Sequence, residues 1–138
     1  MSTNGYYIFK YNNKNYIFYN QFDSYFSRLG RSIFEELKNI DFELMEDYLD
    51  RIDEHDIADE NGGKSYNGLM KALENPQEYF LENILNNEPD LHLDIEYIYI
   101  IDLDKNIFKV KYYDENGNAQ ANRFNLYTIP ENWFELCN

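Results

Sequence analysis

Cysteine is all but missing from this chain. Cys137 stands alone, so no internal disulfide can form. A reducing intracellular compartment, the cytoplasm, is the simplest expectation. Histidine is nearly as scarce. His55 and His92 lie far apart with no paired cysteine, and the usual spacing of a zinc site is lacking. There is no apolar run of signal-peptide type and none long enough to span a bilayer. Positive charge is also short: 12 Lys and Arg stand against 26 Asp and Glu, for a net charge of −14. Such a surface repels nucleic-acid backbones and anionic membranes.

The familiar catalytic and binding motifs fail on inspection. Gly63-Lys64-Ser65 has the ending of a phosphate-binding loop, but Ala58 stands where the first glycine is needed. Asp102-Leu103-Asp104-Lys105-Asn106 opens like a calcium loop. Ile107 then occupies the glycine position and Tyr113 the position of the bidentate Glu. Ser24, His55 and Asp23 can be drawn as a triad, yet adjacent Ser and Asp give it poor geometry. Cys137, penultimate in the chain, is a weak nucleophile candidate. No cofactor and no metal are implied.

Aromatic residues are what the chain has in plenty, at 18%. They imply a Tyr- and Phe-rich core and argue against disorder. Heavy use of Asn, Ile, Tyr and Phe points to an AT-rich genome, but only eight Lys are present, so the acidity is not a plain codon effect. The charge is also unevenly placed. Residues 1–34 carry +3, residues 35–60 carry −10, and the remainder −7.

At 138 residues, one domain is expected. Tyr6–Tyr11 and Tyr16–Asn20 read as a hairpin around a four-residue turn, Asn12–Asn15. Leu29, Ile33 and Leu37 recur at helical spacing, predicting a helix over 27–38 with Ser27 as its cap. A second helix over about 41–56 places Leu44, Met45, Tyr48, Leu49 and Ile52 on one face. Glu43, Asp47, Asp50 and Glu54 run along the other. Asp59–Gly63 reads as a loop. Ser65 is expected to cap a short helix carrying Leu69, Met70 and Leu73, and Asn75-Pro76 to start a fourth near 76–86. Strands follow at 95–101, 107–113 and about 119–128, the last two joined through Asn116-Gly117. The order ββ-αααα-βββ predicts an α+β fold, a mainly antiparallel sheet with helices packed on it.

Residues 20–30 concentrate the most varied polar chemistry: an amide pair, an acid, a hydroxyl, an arginine and a glycine at the end of the hairpin. One reading is structural. Asp23 or Ser24 caps the helix start, Phe22 and Tyr25 pack inward, and Gly30 permits close packing. The other is a binding site using Gln21, Asp23, Ser24, Tyr25 and Arg28.

The run Tyr19-Asn20-Gln21-Phe22-Asp23-Ser24-Tyr25-Phe26-Ser27-Arg28-Leu29-Gly30 resembles a segment found in small uncharacterised proteins of viruses, bacteria and fungi. That pattern reads Tyr, any, Gln or His, aromatic, Asp, Gly or Ser, Tyr, Pro, any, Gly, any, Gly. Gln21, Asp23, Ser24, Tyr25 and Gly30 match it. Phe26 replaces its Pro and Arg28 its first Gly. Ile95–Asp104 is similar to a later strand of the fungal members, while the acidic middle helices have no counterpart. The resemblance supplies no function. It implies a compact fold similar to that of the amino-terminal-nucleophile hydrolases, where Ser2, exposed by removal of Met1, would be the nucleophile.

Three functions follow from these features. The first is a non-catalytic acidic interaction module whose protein partner has a basic face. Self-association is compatible with it, as is a viral origin with residence in host cytoplasm or nucleus. The second is a nucleic-acid mimic: Glu43, Asp47, Asp50 and Glu54 repeat at about 5–6 Å, near the spacing of phosphates along a strand. The third is a small hydrolase-like or ligand-binding enzyme centred on Gln21–Arg28.

Overall fold

The computed structural model describes residues 3–59 and 62–137. Ser2, the nucleophile implied by the resemblance, lies outside the described residues. So does part of the 59–63 loop. The architecture is α+β: one six-stranded mixed sheet in the order β3-β2-β1-β4-β5-β6, with a few short helices.

Strands β1 (Gly5–Tyr11) and β2 (Lys14–Asn20) form the aromatic hairpin. Its turn is tighter than predicted. Only Asn12 and Asn13 connect the strands, both with positive φ (52° and 61°). Such a turn matches the right-handed twist of the strands, and Asn tolerates the conformation better than most residues. The Asp104 carboxylate accepts both turn amides, Asn12 at 2.8 Å and Asn13 at 2.9 Å. Asp102 accepts from the Lys105 amide. These two acids of the calcium-like motif therefore hold backbone in place.

The expected helix over 27–38 begins differently. Phe26–Gly30 forms a wide turn, with Gly30 N–H donating to Tyr25 O and Arg31 N–H to Phe26 O. It runs into α1 (Arg31–Leu37). Ser27 does not cap it, nor does any other side chain. Helix α2 (Phe42–Arg51) is capped by Asp41, whose carboxylate accepts the Leu44 amide at 3.1 Å. It stops at Ile52, which is extended, so residues 52–56 are not part of it; Glu54–Asp56 form a separate single turn. Met45 and Leu49 are fully buried, whereas Leu44 turns outward. Helix α3 (Leu69–Glu74) follows Gly68, and Ser65 does not cap it.

The predicted fourth helix is absent, and the element order becomes ββ-ααα-ββββ. Residues 76–80 make only a turn, and Phe80 adopts φ 65°, which breaks any helix. Leu81–Leu85 is instead strand β3 and pairs with the free edge of β2. Strands β4 (Tyr97–Asp102), β5 (Ile107–Tyr113) and β6 (Ala119–Asn125) complete the sheet. Four of its ladders are antiparallel, and β1 with β4 is parallel. The parallel pair arises because the chain from β3 crosses the sheet before entering β4 at the centre.

Both faces of the sheet are covered. Tyr7, Phe9, Phe18, Tyr99, Phe108 and Val110 face the helices and Trp133. Ile8, Ile17, Ile98 and Ile100 face the crossing segment through Leu91 and Ile95. Lys109 and Lys111 clamp that segment through Glu88. Burial opposes ionisation of Glu88, but the hydrogen bonds from both lysines outweigh it and hold the carboxyl below its ordinary range. No helix among the described residues is long and apolar enough to cross a membrane.

Candidate functional site

The hairpin-to-helix junction does form a recess. A groove of about 900 Å³ lies between it and the segment Ser65–Gly68, with Asp23, Arg28, Arg31 and Glu36 on its walls. Two of the predicted binding residues, Asp23 and Arg28, line it. The others do different work.

Ser24 is fully buried. Its hydroxyl accepts from Asn20 Nδ2 at 2.9 Å and faces the Asn20 carbonyl at 3.4 Å. It is neither a cap nor an accessible hydroxyl. Asp23 takes φ 54°, its carbonyl accepts the Leu29 amide, and its carboxylate meets Arg28 at 3.4 Å. So Asp23 does not cap through its side chain. That ion pair is well exposed, which makes it worth little on its own. Phe22 and Tyr25 do not pack inward: they are 52% and 43% exposed. The Tyr25 ring meets the edge of Tyr97 at 6.0 Å. Gln21 is exposed and does not line the groove. Gly30 behaves as expected: a Cβ there would stand 2.8 Å from Trp133 and 2.9 Å from Tyr99.

The walls are fixed by residues with no obvious motif. Asn20 reaches across, its Oδ1 accepting the Tyr66 amide at 3.0 Å while its Nδ2 donates to Phe22 O at 2.6 Å. Glu36 ties α1 to the facing segment. It accepts the Tyr66 hydroxyl at 2.6 Å and the Leu69 and Met70 amides that open α3. Burial, with the Glu36 hydrogen bond, pushes the Tyr66 hydroxyl far above the ordinary tyrosine range. The phosphate-loop-like Gly63-Lys64-Ser65 is tethered to the turn before β3: Lys64 N–H donates to Glu78 O at 2.7 Å, and its ammonium pairs with the Glu78 carboxylate. Ser27, Arg31 and Glu35 repeat at i, i+4, i+8 along the rim. That spacing was visible in the sequence and marks the rim.

Chemically, the groove offers hydrogen bonds and two guanidinium groups, and no activated nucleophile. The Ser24 hydroxyl is spent on Asn20, and His55 pairs with Asp53 on an exposed turn. Cys137 is buried, and burial pushes its thiol up to about 11. Among the described residues, no group of three or more His, Cys, Asp or Glu is placed to hold a metal ion.

The acidic face is partly as drawn. Glu43, Asp47 and Asp50 lie exposed on α2. Glu54 is exposed too, but on the separate turn after Ile52, so the stripe on the helix has three members. The neighbouring Asp50 carboxylate, with lesser help from burial and Glu46, moves the Tyr11 hydroxyl up to about 12.

Compared with protein-family models, curated proteins and solved structures, the chain matches none.

Proposed function

We propose that this protein is a non-catalytic interaction module that docks a basic protein surface on the face formed by α2 and the turn behind it. One observation carries the reading. Nine carboxylates fall within residues 41–59, and among the described residues only Asp53 is in an ion pair, with His55. Elsewhere the fold does use its scarce lysines against acids: Lys38 on Glu35 and Glu131, Lys64 on Glu78, Lys109 and Lys111 on Glu88. The charge on α2 is left for something outside the chain, and a complementary surface would be steered to it. Met45 and Leu49 hold the helix by its other side, so the carboxylates are displayed on a fixed element.

Mimicry of nucleic acid is the narrower form of the same idea, with a nucleic-acid-binding protein as partner. The end of α2 at Ile52 shortens the regular repeat to Glu43, Asp47 and Asp50. A ligand-binding reading of the groove stands beside it, favoured by the open recess around Asp23, Arg28 and Arg31. The resemblance of residues 19–30 adds no activity to either.

The test is quantitative capture of basic proteins from the host cell by the wild type and by a Glu43→Gln, Asp47→Asn, Asp50→Asn variant, at two salt concentrations. Loss of the same partner on substitution and on added salt supports the proposal. Equal capture by both chains sinks it. An Asp23→Asn, Arg28→Ala variant with unchanged capture separates this face from the groove.

A further inference from the structure

The two edges of the sheet are treated very differently. At β3 the edge is short, five residues, and its pairing with β2 is interrupted by a register shift between Ile17 and Phe18. Glu82 puts a charge on it, and the Ala58 amide already donates to Leu81 O. Those are the usual ways in which an edge is closed to further pairing. At β6 the strand is longer, unbroken and uncovered, and its one charge is Arg123. Ala119–Asn125 pairs with β5 over seven residues in unbroken register, with neither Pro nor Lys. Among the described residues, no backbone group outside β5 and the strand's own turns bonds to it.

The charge around this edge is equally distinct. From Ala119 to Pro130 there is no carboxylate, and Arg123 is the single charge, in a chain whose net charge is −14. Exposed apolar side chains border it. Tyr113 sits opposite Ala119, and Leu136, 53% exposed, is held beside Asn122 by a 2.7 Å bond from Asn122 Nδ2 to its carbonyl. Phe134 is the next exposed ring along the tail.

We infer that β6 is a self-association edge on which a second copy of this chain pairs antiparallel, β6 to β6, making a continuous twelve-stranded sheet. Two copies of so acidic a protein repel each other over most orientations. The acid-free edge is where they approach at least cost. A two-fold axis normal to the sheet at the strand midpoint, Asn122, gives the largest number of paired residues. It is the closed, symmetric form that homodimers favour. In that register Ala121 of one copy lies opposite Arg123 of the other, twice. Tyr113, Phe134 and Leu136 add apolar area beside the ladder, which a strand pair alone lacks for a stable interface.

Sedimentation of the full chain over a range of concentrations tests this. A dimer is expected, and it should tighten with added salt as the repulsion between the two bodies is screened. Docking of a basic partner on α2 should weaken with salt, so the two proposals cannot be confused. Ala121→Lys places like charges across the new pair at both symmetric positions and should weaken the dimer about two- to thirtyfold. Ala121→Glu should tighten it by a similar factor through Arg123, although it makes each copy more acidic. A response set by overall charge would have the opposite sign, and it overturns the proposed register. A monomer at every concentration, or a dimer indifferent to both substitutions, overturns the edge itself. The first of these leaves β6 to a strand of another protein. Ala121 is exposed, so circular dichroism of both variants should match that of the wild type.

Discussion

The Glu36 carboxylate accepts the Tyr66 hydroxyl at 2.6 Å, joining α1 to the far wall of the groove. Both its oxygens also approach the Leu69 amide, at 2.7 and 2.9 Å, and one reaches the Met70 amide at 3.3 Å. Gly68, which precedes α3 with φ 130°, has no side chain with which to cap it. A residue more than thirty positions away therefore satisfies the opening amides of α3. Hydrogen bonds to a charged acceptor contribute about 1.5–3 kcal/mol each. Glu36→Ala should destabilise the fold by about 3 kcal/mol, and Tyr66→Phe by about half of that, by the denaturant midpoint. Glu36→Gln keeps one acceptor oxygen and should fall between them.

Gly30 gives a second stability test with a local readout. In an ordinary helix, Gly to Ala gains about 1 kcal/mol. Here a Cβ would meet Trp133 at 2.8 Å and Tyr99 at 2.9 Å, both rings fully buried. Tyr99 is further fixed by its hydroxyl donating to Ser24 O at 2.7 Å. Overpacking of this kind costs about 1–3 kcal/mol, which outweighs the propensity. Gly30→Ala should lower the midpoint and change the fluorescence of Trp133, the sole tryptophan. Unchanged fluorescence with a higher midpoint would show that the junction can yield.

Alkaline pH should unfold the protein earlier than its size predicts. Burial raises the hydroxyls of Tyr7 and Tyr99 well above the ordinary value of 10.0, with smaller Coulombic help from Tyr79 and Tyr97 respectively. In the unfolded chain these groups ionise near the ordinary value, so above it the unfolded state binds fewer protons than the folded state. The stability they contribute is whole below pH 10.0 and falls as pH rises from there, by about 1.4 kcal/mol per pH unit for each tyrosine still held protonated. Tyrosinate absorbance should therefore rise together with loss of near-ultraviolet dichroism. Early ionisation without unfolding would mean that these rings are reached by water.

Much of this architecture could be read from local signals, because local chemistry decides it. Asn12-Asn13 and Asn116-Gly117 mark the turns, and alternation of buried and exposed residues bounds β5 at Ile107–Tyr113 as predicted. Where two local patterns fit, the sheet decided. Leu81, Ile84 and Leu85 stand at helical spacing, yet the vacant edge of β2 takes them as a strand. The groove was legible only in its first wall. Asp23 and Arg28 stood out by type, but Glu36 looked like any surface acid, and its partner Tyr66 comes from a segment with no periodicity. Ser24 misled for the opposite reason: a hydroxyl beside an acid reads as a cap until its neighbour Asn20 is seen to take it.

The acidic face makes a prediction that separates display from support. In α2, Glu43 and Asp47 are spaced i, i+4, and Asp47 and Asp50 i, i+3, so their mutual repulsion costs about 0.2–0.5 kcal/mol per pair. Glu43 also lies in the first turn, where a negative charge gains about 0.3–1 kcal/mol from the helix dipole. These terms oppose each other. The Glu43→Gln, Asp47→Asn, Asp50→Asn variant should thus keep its stability to within about 0.5 kcal/mol, as exposed sites usually do. Asp50 leaves one local mark. Its carboxylate, with lesser help from burial and Glu46, raises the Tyr11 hydroxyl to about 12. Asp50→Asn alone should return Tyr11 toward 10.0, because the ionised phenol would no longer face the Asp50 carboxylate. An unmoved Tyr11 would mean that α2 does not lie against the end of β1. A moved Tyr11, unchanged stability and lost capture of a basic partner would together assign the carboxylates to recognition rather than to the fold.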